Sequence, residues 1–159
     1  MKVNELANAH YAWVERMGWH DKTPLESLAL IASEVGEAAA EHLGNTGTNA
    51  FVGELADIVL RIIDFGPLYG WDLDALIAQS GGGDAETPVA TQLLQLTITQ
   101  AAAVNAARQD SLGTEFQLLL GKMLGQVFTL AKTANADLHH AVVAKMALNE
   151  QRGTRGRRI

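Results

Sequence analysis

The stretch Phe51-Val-Gly-Glu54-Leu-Ala-Asp57-Ile-Val-Leu-Arg61-Ile-Ile-Asp64-Phe65 decides the reading of this chain. It is apolar almost all the way round, and such a segment forms a helix inside a core rather than on a surface. The charges that interrupt it fall at 54, 57, 61 and 64. Steps of three, four and three place them on one narrow helical stripe. The segment before it, from Leu28 to His42, repeats the arrangement, with Glu34, Glu37 and Glu41 set against Leu30, Ile31 and Val35.

Working outward, Ala and Leu dominate and only Pro24, Pro67 and Pro88 interrupt, so helix propensity is high and strand signals are scarce. The predicted fold class is all-α, a helical bundle, with helices near Asn4–Met17, Leu25–His42, Asn49–Leu68, Leu73–Gln79, Thr91–Gln109, Thr114–Thr133 and Asp137–Gln151. Gly18-Trp19-His20-Asp21 and Gly44-Asn45-Thr46-Gly47 read as turns.

At 159 residues one domain is expected, large enough to bury roughly 70% of the unfolded chain's surface. With no cysteine in the chain, disulfide scaffolds, zinc ribbons and thiol nucleophiles are excluded, and a cytoplasmic location is expected. No apolar run is long enough for a membrane span, and Met1-Lys2 does not open a signal peptide. The net charge of −6 hides a basic end, because Arg152, Arg155, Arg157 and Arg158 all lie in the last eight residues. Without those four, eight basic residues face eighteen acidic ones, a net of −10, which argues against nucleic acid as the main ligand. The arginine tail alone keeps an RNA or DNA contact open as a third reading.

The run Ser80-Gly81-Gly82-Gly83-Asp84 reads by composition as a flexible linker, and the parts on either side resemble each other. Leu28–Glu34 shifted by 66 gives Leu94–Gln100; shifts of 65 carry Phe51 to Phe116 and Trp71-Asp72-Leu73 to Ala136-Asp137-Leu138. The expectation is a tandem duplication: copy one over about 1–79, a linker at 80–86, copy two over about 87–152, and a basic tail at 153–159. At these offsets Glu34 becomes Gln100, Glu37 Ala103, Glu54 Leu119 and Asp57 Lys122, so the second copy is degenerate in its acidic positions.

If the two acidic stripes face one another, Glu34, Glu37, Glu54 and Asp57 crowd about four negative charges into a partly dry volume, which is costly unless they are paired. A hard divalent cation resolves the conflict, and carboxylate ligands without His or Cys point to magnesium or manganese rather than zinc. The plain alternative is a solvated face on each helix. A di-iron centre would need a Glu-x-x-His pair, and Asp137-x-x-His140 is the nearest approach. Near the C-terminus Lys145, Asn149 and Arg152 share one helical face. Such residues suit a phosphate beside a metal, though basic groups also complement a helix C-terminus. Trp19 and His20 precede the first acidic helix; an indole there would stack on a nucleobase or seal the core.

Taken together, Ser33-Glu34-Val-Gly-Glu37, then Glu54-Leu-Ala-Asp57, then Lys145-x-x-x-Asn149-x-x-Arg152 resembles the MazG-like, all-α nucleoside triphosphate pyrophosphohydrolases over most of the chain. The loop Gly18–Asp21 also looks like that family's. The resemblance implies hydrolysis of an NTP or dNTP to the monophosphate and pyrophosphate. It implies Mg2+, or Mn2+, held by Glu34, Glu37, Glu54 and Asp57, with Glu37 as general base. Lys145, Asn149 and Arg152 would face the phosphates, Trp19 and His20 would bind substrate, and Arg61 would pair with Asp64 behind the ligands. Two departures stand out. Ser33 occupies the place of a customary second Glu, and the Lys-Asn-Arg element appears only at the end of the second copy. That split implies a fused pseudo-dimer with one composite site, and the sequence leaves open a homodimer of such chains. The runner-up is a non-catalytic relative that binds a metal, a nucleotide or a partner helix.

Overall fold

The computed structural model describes residues 1–109 and 112–153, so Arg155, Arg157 and Arg158 of the basic tail lie outside the described residues. The chain is all-α. Its helices are α1 (Val3–Arg16), α2 (Pro24–Gly44), α3 (Thr48–Ile63), α4 (Phe65–Tyr69), α5 (Leu73–Ser80), α6 (Val89–Gln109), α7 (Thr114–Thr133) and α8 (Leu138–Arg152). No helix among the described residues is long and apolar enough to cross a membrane.

The apolar stretch becomes α3, with Phe51, Val52, Leu55, Ala56, Ile58, Val59, Leu60, Ile62 and Ile63 all buried. It packs against α1, α2, α4, α7 and α8, which explains an apolar surface on nearly every side. The predicted helix over Asn49–Leu68 is instead two, α3 and α4. Pro67 accounts for the break: it has no N–H to give the carbonyl of Ile63, and its ring would strike that carbonyl in a continuous helix.

Side-chain caps fix where several helices begin. Thr23 and Glu26 form a reciprocal capping box at α2, with Pro24 in the first turn. Asp74 accepts from the N–H groups of Val3 and Asn4, both at 3.0 Å. Asn4 Oδ1 in return accepts from Leu73 N at 2.9 Å, so the starts of α1 and α5 cap each other.

Burial, backbone and caps on the two sides of the glycine segment match at several positions. Phe51 and Phe116 are both buried, Gly70 and Asn135 both have positive φ, and Asp72 and Asp137 cap α5 and α8. In the helices ahead of these, buried Leu28, Ile31 and Ala38 correspond to buried Leu93, Leu96 and Ala103. A separation of 65 thus pairs each of these positions. The offset of 66 for α2 fails physically, because it carries fully buried Leu28 onto Leu94, which is 60% exposed. In the corrected register Glu34 corresponds to Thr99 and Glu37 to Ala102, still without acid. The last helix of each part crosses over: α5 packs on α7, and α8 packs on α3.

The glycine segment between the parts lies along α7 and is tied to it. Ser80 Oγ donates to the carbonyl of Leu118 at 2.8 Å, Gly83 N donates to Thr129 Oγ1 at 3.1 Å, and Thr133 Oγ1 donates to the carbonyl of Ala85 at 3.0 Å. Composition suggested a free linker because glycine lowers the cost of disorder. Here the missing Cβ atoms serve close approach, since a Cβ on Gly82 would sit 2.8 Å from the carbonyl oxygen of Gly125.

Candidate functional site

The crossing of α8 onto α3 builds an open cleft of about 780 Å³. Glu34 from α2 and Glu54 and Asp57 from α3 each offer a carboxylate oxygen, and these three atoms lie within 4.8 Å of one another. Among the described residues no other three His, Asp or Glu side chains come as close. All three donors are oxygens, a set that fits a hard divalent cation.

The fourth predicted ligand stands apart. Glu37 is exposed on the rim of the same cleft and accepts a hydrogen bond from Ser33 Oγ at 3.4 Å. It lies one turn beyond Glu34 on the same stripe of α2, with its own side chain exposed to solvent. Ser33 thus serves Glu37 rather than the cluster.

Two cations reach the carboxylates directly. Lys145 Nζ lies 2.7 Å from Asp57 Oδ2, with both side chains about three-quarters buried. Arg61 Nε and Nη2 lie 3.1 and 3.0 Å from Glu34 Oε1. The expected Arg61–Asp64 pair does not form. Asp64 instead lies 3.1 Å from His20 Nε2, because α2 brings Glu34 to Arg61 and the loop after α1 brings His20 to Asp64. Asn149 and Arg152 line the same cleft as Lys145, Glu34 and Asp57.

Burial pushes the carboxyls of both Glu34 and Glu54 above their ordinary value. Arg61 opposes this at Glu34, while at Glu54 the neighbouring Asp57 adds to it. Glu54 has no ion pair of its own among the described residues.

The other wall is aromatic. Trp13 and Trp19 meet edge to face at 4.9 Å, and Tyr11 stacks on His20 at 4.3 Å. Trp13 Nε1 and His20 Nδ1 are buried without a hydrogen-bond partner. His10 also lines this wall, and the sequence reading assigned it nothing. The available signal was His10, Trp13 and Val14 at spacings of three and one, the inward face of α1.

Burial lowers His10 to about 4, with Asp64 opposing and Arg61 and His20 adding to the shift. The unfolded chain therefore binds more protons than the folded one between pH 6.5 and 4. His10 contributes stability that is complete above pH 6.5 and is lost as pH falls toward 4, at most about 3 kcal/mol. Urea unfolding across this window should show a steeper loss for the native protein than for His10→Phe; equal slopes would remove His10 from the pH response.

No family model matches the chain, and comparison with curated proteins and with solved structures likewise finds no match.

Proposed function

We propose that this chain is a metal-dependent nucleoside triphosphate pyrophosphohydrolase of the MazG-like kind, cleaving an NTP or dNTP between the α and β phosphates. The observation that carries the reading is a single cleft with three ordered regions: the carboxylates of Glu34 and Asp57, with Glu54 beside them, a cationic and amide stripe, and an aromatic wall at one side. That order matches a metal, a polyphosphate and a base. Glu34, Glu54 and Asp57 would hold Mg2+ or Mn2+, with Glu37 at the rim. When bound, the ion supplies positive charge beside the phosphate oxygens and polarises them.

The chain's own groups do the rest. Lys145 and Arg152 neutralise charge that builds on the departing pyrophosphate, and Asn149 orients it. Glu37 is open to water and has one oxygen engaged by Ser33, so its other oxygen accepts the proton of the attacking water. The water oxygen bonds to the α phosphorus, the bond from that phosphorus to the bridging oxygen breaks, and pyrophosphate leaves. Trp19, His20, Trp13 and His10 enclose the base.

The cross-packing of α5 and α8 and the common offset of 65 support descent from a duplicated unit, with one live composite site. At the positions 65 residues on from Glu34, Glu54 and Asp57 stand Thr99, Leu119 and exposed Lys122, none of which brings a carboxylate. A second reading, a binding protein without turnover, draws on one observation: Lys145 and Arg61 already neutralise two of the three carboxylates. Pyrophosphate release from a panel of ribo- and deoxyribonucleoside triphosphates, with and without magnesium, separates the two. Magnesium-dependent release from at least one triphosphate is expected; nucleotide binding with no release would leave the binding protein.

A further inference from the structure

The carboxylate cluster carries cations of its own, and they differ in how they are tethered. Arg61 sits on α3 itself, one turn after Asp57, and both of its contacts go to one oxygen of Glu34. Lys145 arrives from α8, in the other part of the chain, and its ammonium takes Asp57 Oδ2 at 2.7 Å. That oxygen belongs to one of the three side chains close enough to share an ion. A divalent ion bound there would stand next to the ammonium, a repulsion of like charges in a partly dry cleft. Lys145 is 23% exposed on a flexible four-carbon stem, and on its own helical face Asn149 and Arg152 follow at steps of four and three along the same cleft. The ammonium thus has somewhere to go.

We propose that Lys145 is an exchangeable internal counter-ion: it neutralises Asp57 until a divalent cation enters, then swings along α8 to meet the anionic part of the ligand. This rests on the metal reading above and adds a coupling to it. Without metal, the Lys145 pair lets the fold tolerate crowded carboxylates. Metal alone binds weakly, because it must break the pair. Metal together with a polyphosphate binds cooperatively, because the released ammonium gains a new partner and each ligand removes part of the other's cost.

The test uses Mn2+ alone as probe, with free ion followed by its electron paramagnetic resonance signal. Lys145→Met is expected to tighten Mn2+ binding by about fivefold or more, the effect of deleting a competing, largely buried pair. Arg152→Met removes the same charge from the same cleft without touching Asp57, and is expected to change binding less than about twofold. In the unsubstituted protein, acylation of Lys145 read by peptide mass spectrometry should rise several-fold when Mn2+ saturates. This arm needs no variant, so it decides the matter even if Lys145→Met fails to fold. Unchanged Lys145 reactivity at saturating Mn2+, or equal tightening by both variants, would overturn the exchange while leaving the metal site standing. No Mn2+ binding by any of the proteins would overturn both.

Discussion

Glu54→Gln is expected to cut magnesium-dependent pyrophosphate release by about a thousandfold or more while leaving the protein at least as stable as before. The loss follows from removing one of three oxygen donors and the charge it carries, in a site proposed to act through a bound dication. The stability follows from the surroundings of Glu54. Its carboxyl is raised by burial and by Asp57, and unlike Glu34 and Asp57 it has no cation paired with it. A neutral amide of the same shape relieves that repulsion, so function and stability move in opposite directions, as they do where a site is built against the preference of the fold. Thermal unfolding and turnover measured on the same preparation check both halves. Full turnover would remove Glu54 from the mechanism, and a large drop in melting temperature would make it a structural residue.

Gly125→Ala is expected to produce the largest loss of stability for one added methyl group. A Cβ at Gly125 would overlap the carbonyl oxygen of Gly81 and stand 2.9 Å from Gly82 Cα, and both neighbours are backbone that cannot rotate aside. The segment must lift from α7, straining the Gly83–Thr129 and Thr133–Ala85 hydrogen bonds. Overpacking together with these bonds amounts to about 3 kcal/mol, or roughly 10 °C in melting temperature. Gly36→Ala is the control, since a Cβ there meets nothing within 4 Å on the exposed side of α2. Better helix propensity should stabilise that variant by about 1 kcal/mol. Shifts of the same sign in both variants would refute the account of the glycine segment.

The parts of the molecule set by periodicity were legible in the sequence. The acidic stripes on α2 and α3 and the Lys145, Asn149 and Arg152 face of α8 follow from steps of three and four, and Glu34, Glu37, Asp57, Lys145, Asn149 and Arg152 border one cleft, with Glu54 beside Glu34 and Asp57. Spacing along one helix does not reveal partners from another. Arg61 and Asp64 share a stripe, yet α2 supplies Glu34 to one and the loop after α1 supplies His20 to the other. Glu37 shows the same limit, because one turn of α2 separates a clustered carboxylate from an exposed one. The offset between the two parts escaped for a different reason: in an Ala- and Leu-rich helix a slip of one residue still matches Leu to Leu, and burial alone tells Leu93 from Leu94. The break before α4 is legible in Pro67, which withholds an N–H from the carbonyl of Ile63 four residues upstream.

The most direct measurement of the central claim is anomalous diffraction from a crystal equilibrated with Mn2+. The account predicts an anomalous peak among the carboxylate oxygens of Glu34, Glu54 and Asp57, with Lys145 Nζ drawn away from Asp57. Saturating Mn2+ with no peak at those three side chains, and the Lys145–Asp57 pair intact, would contradict it.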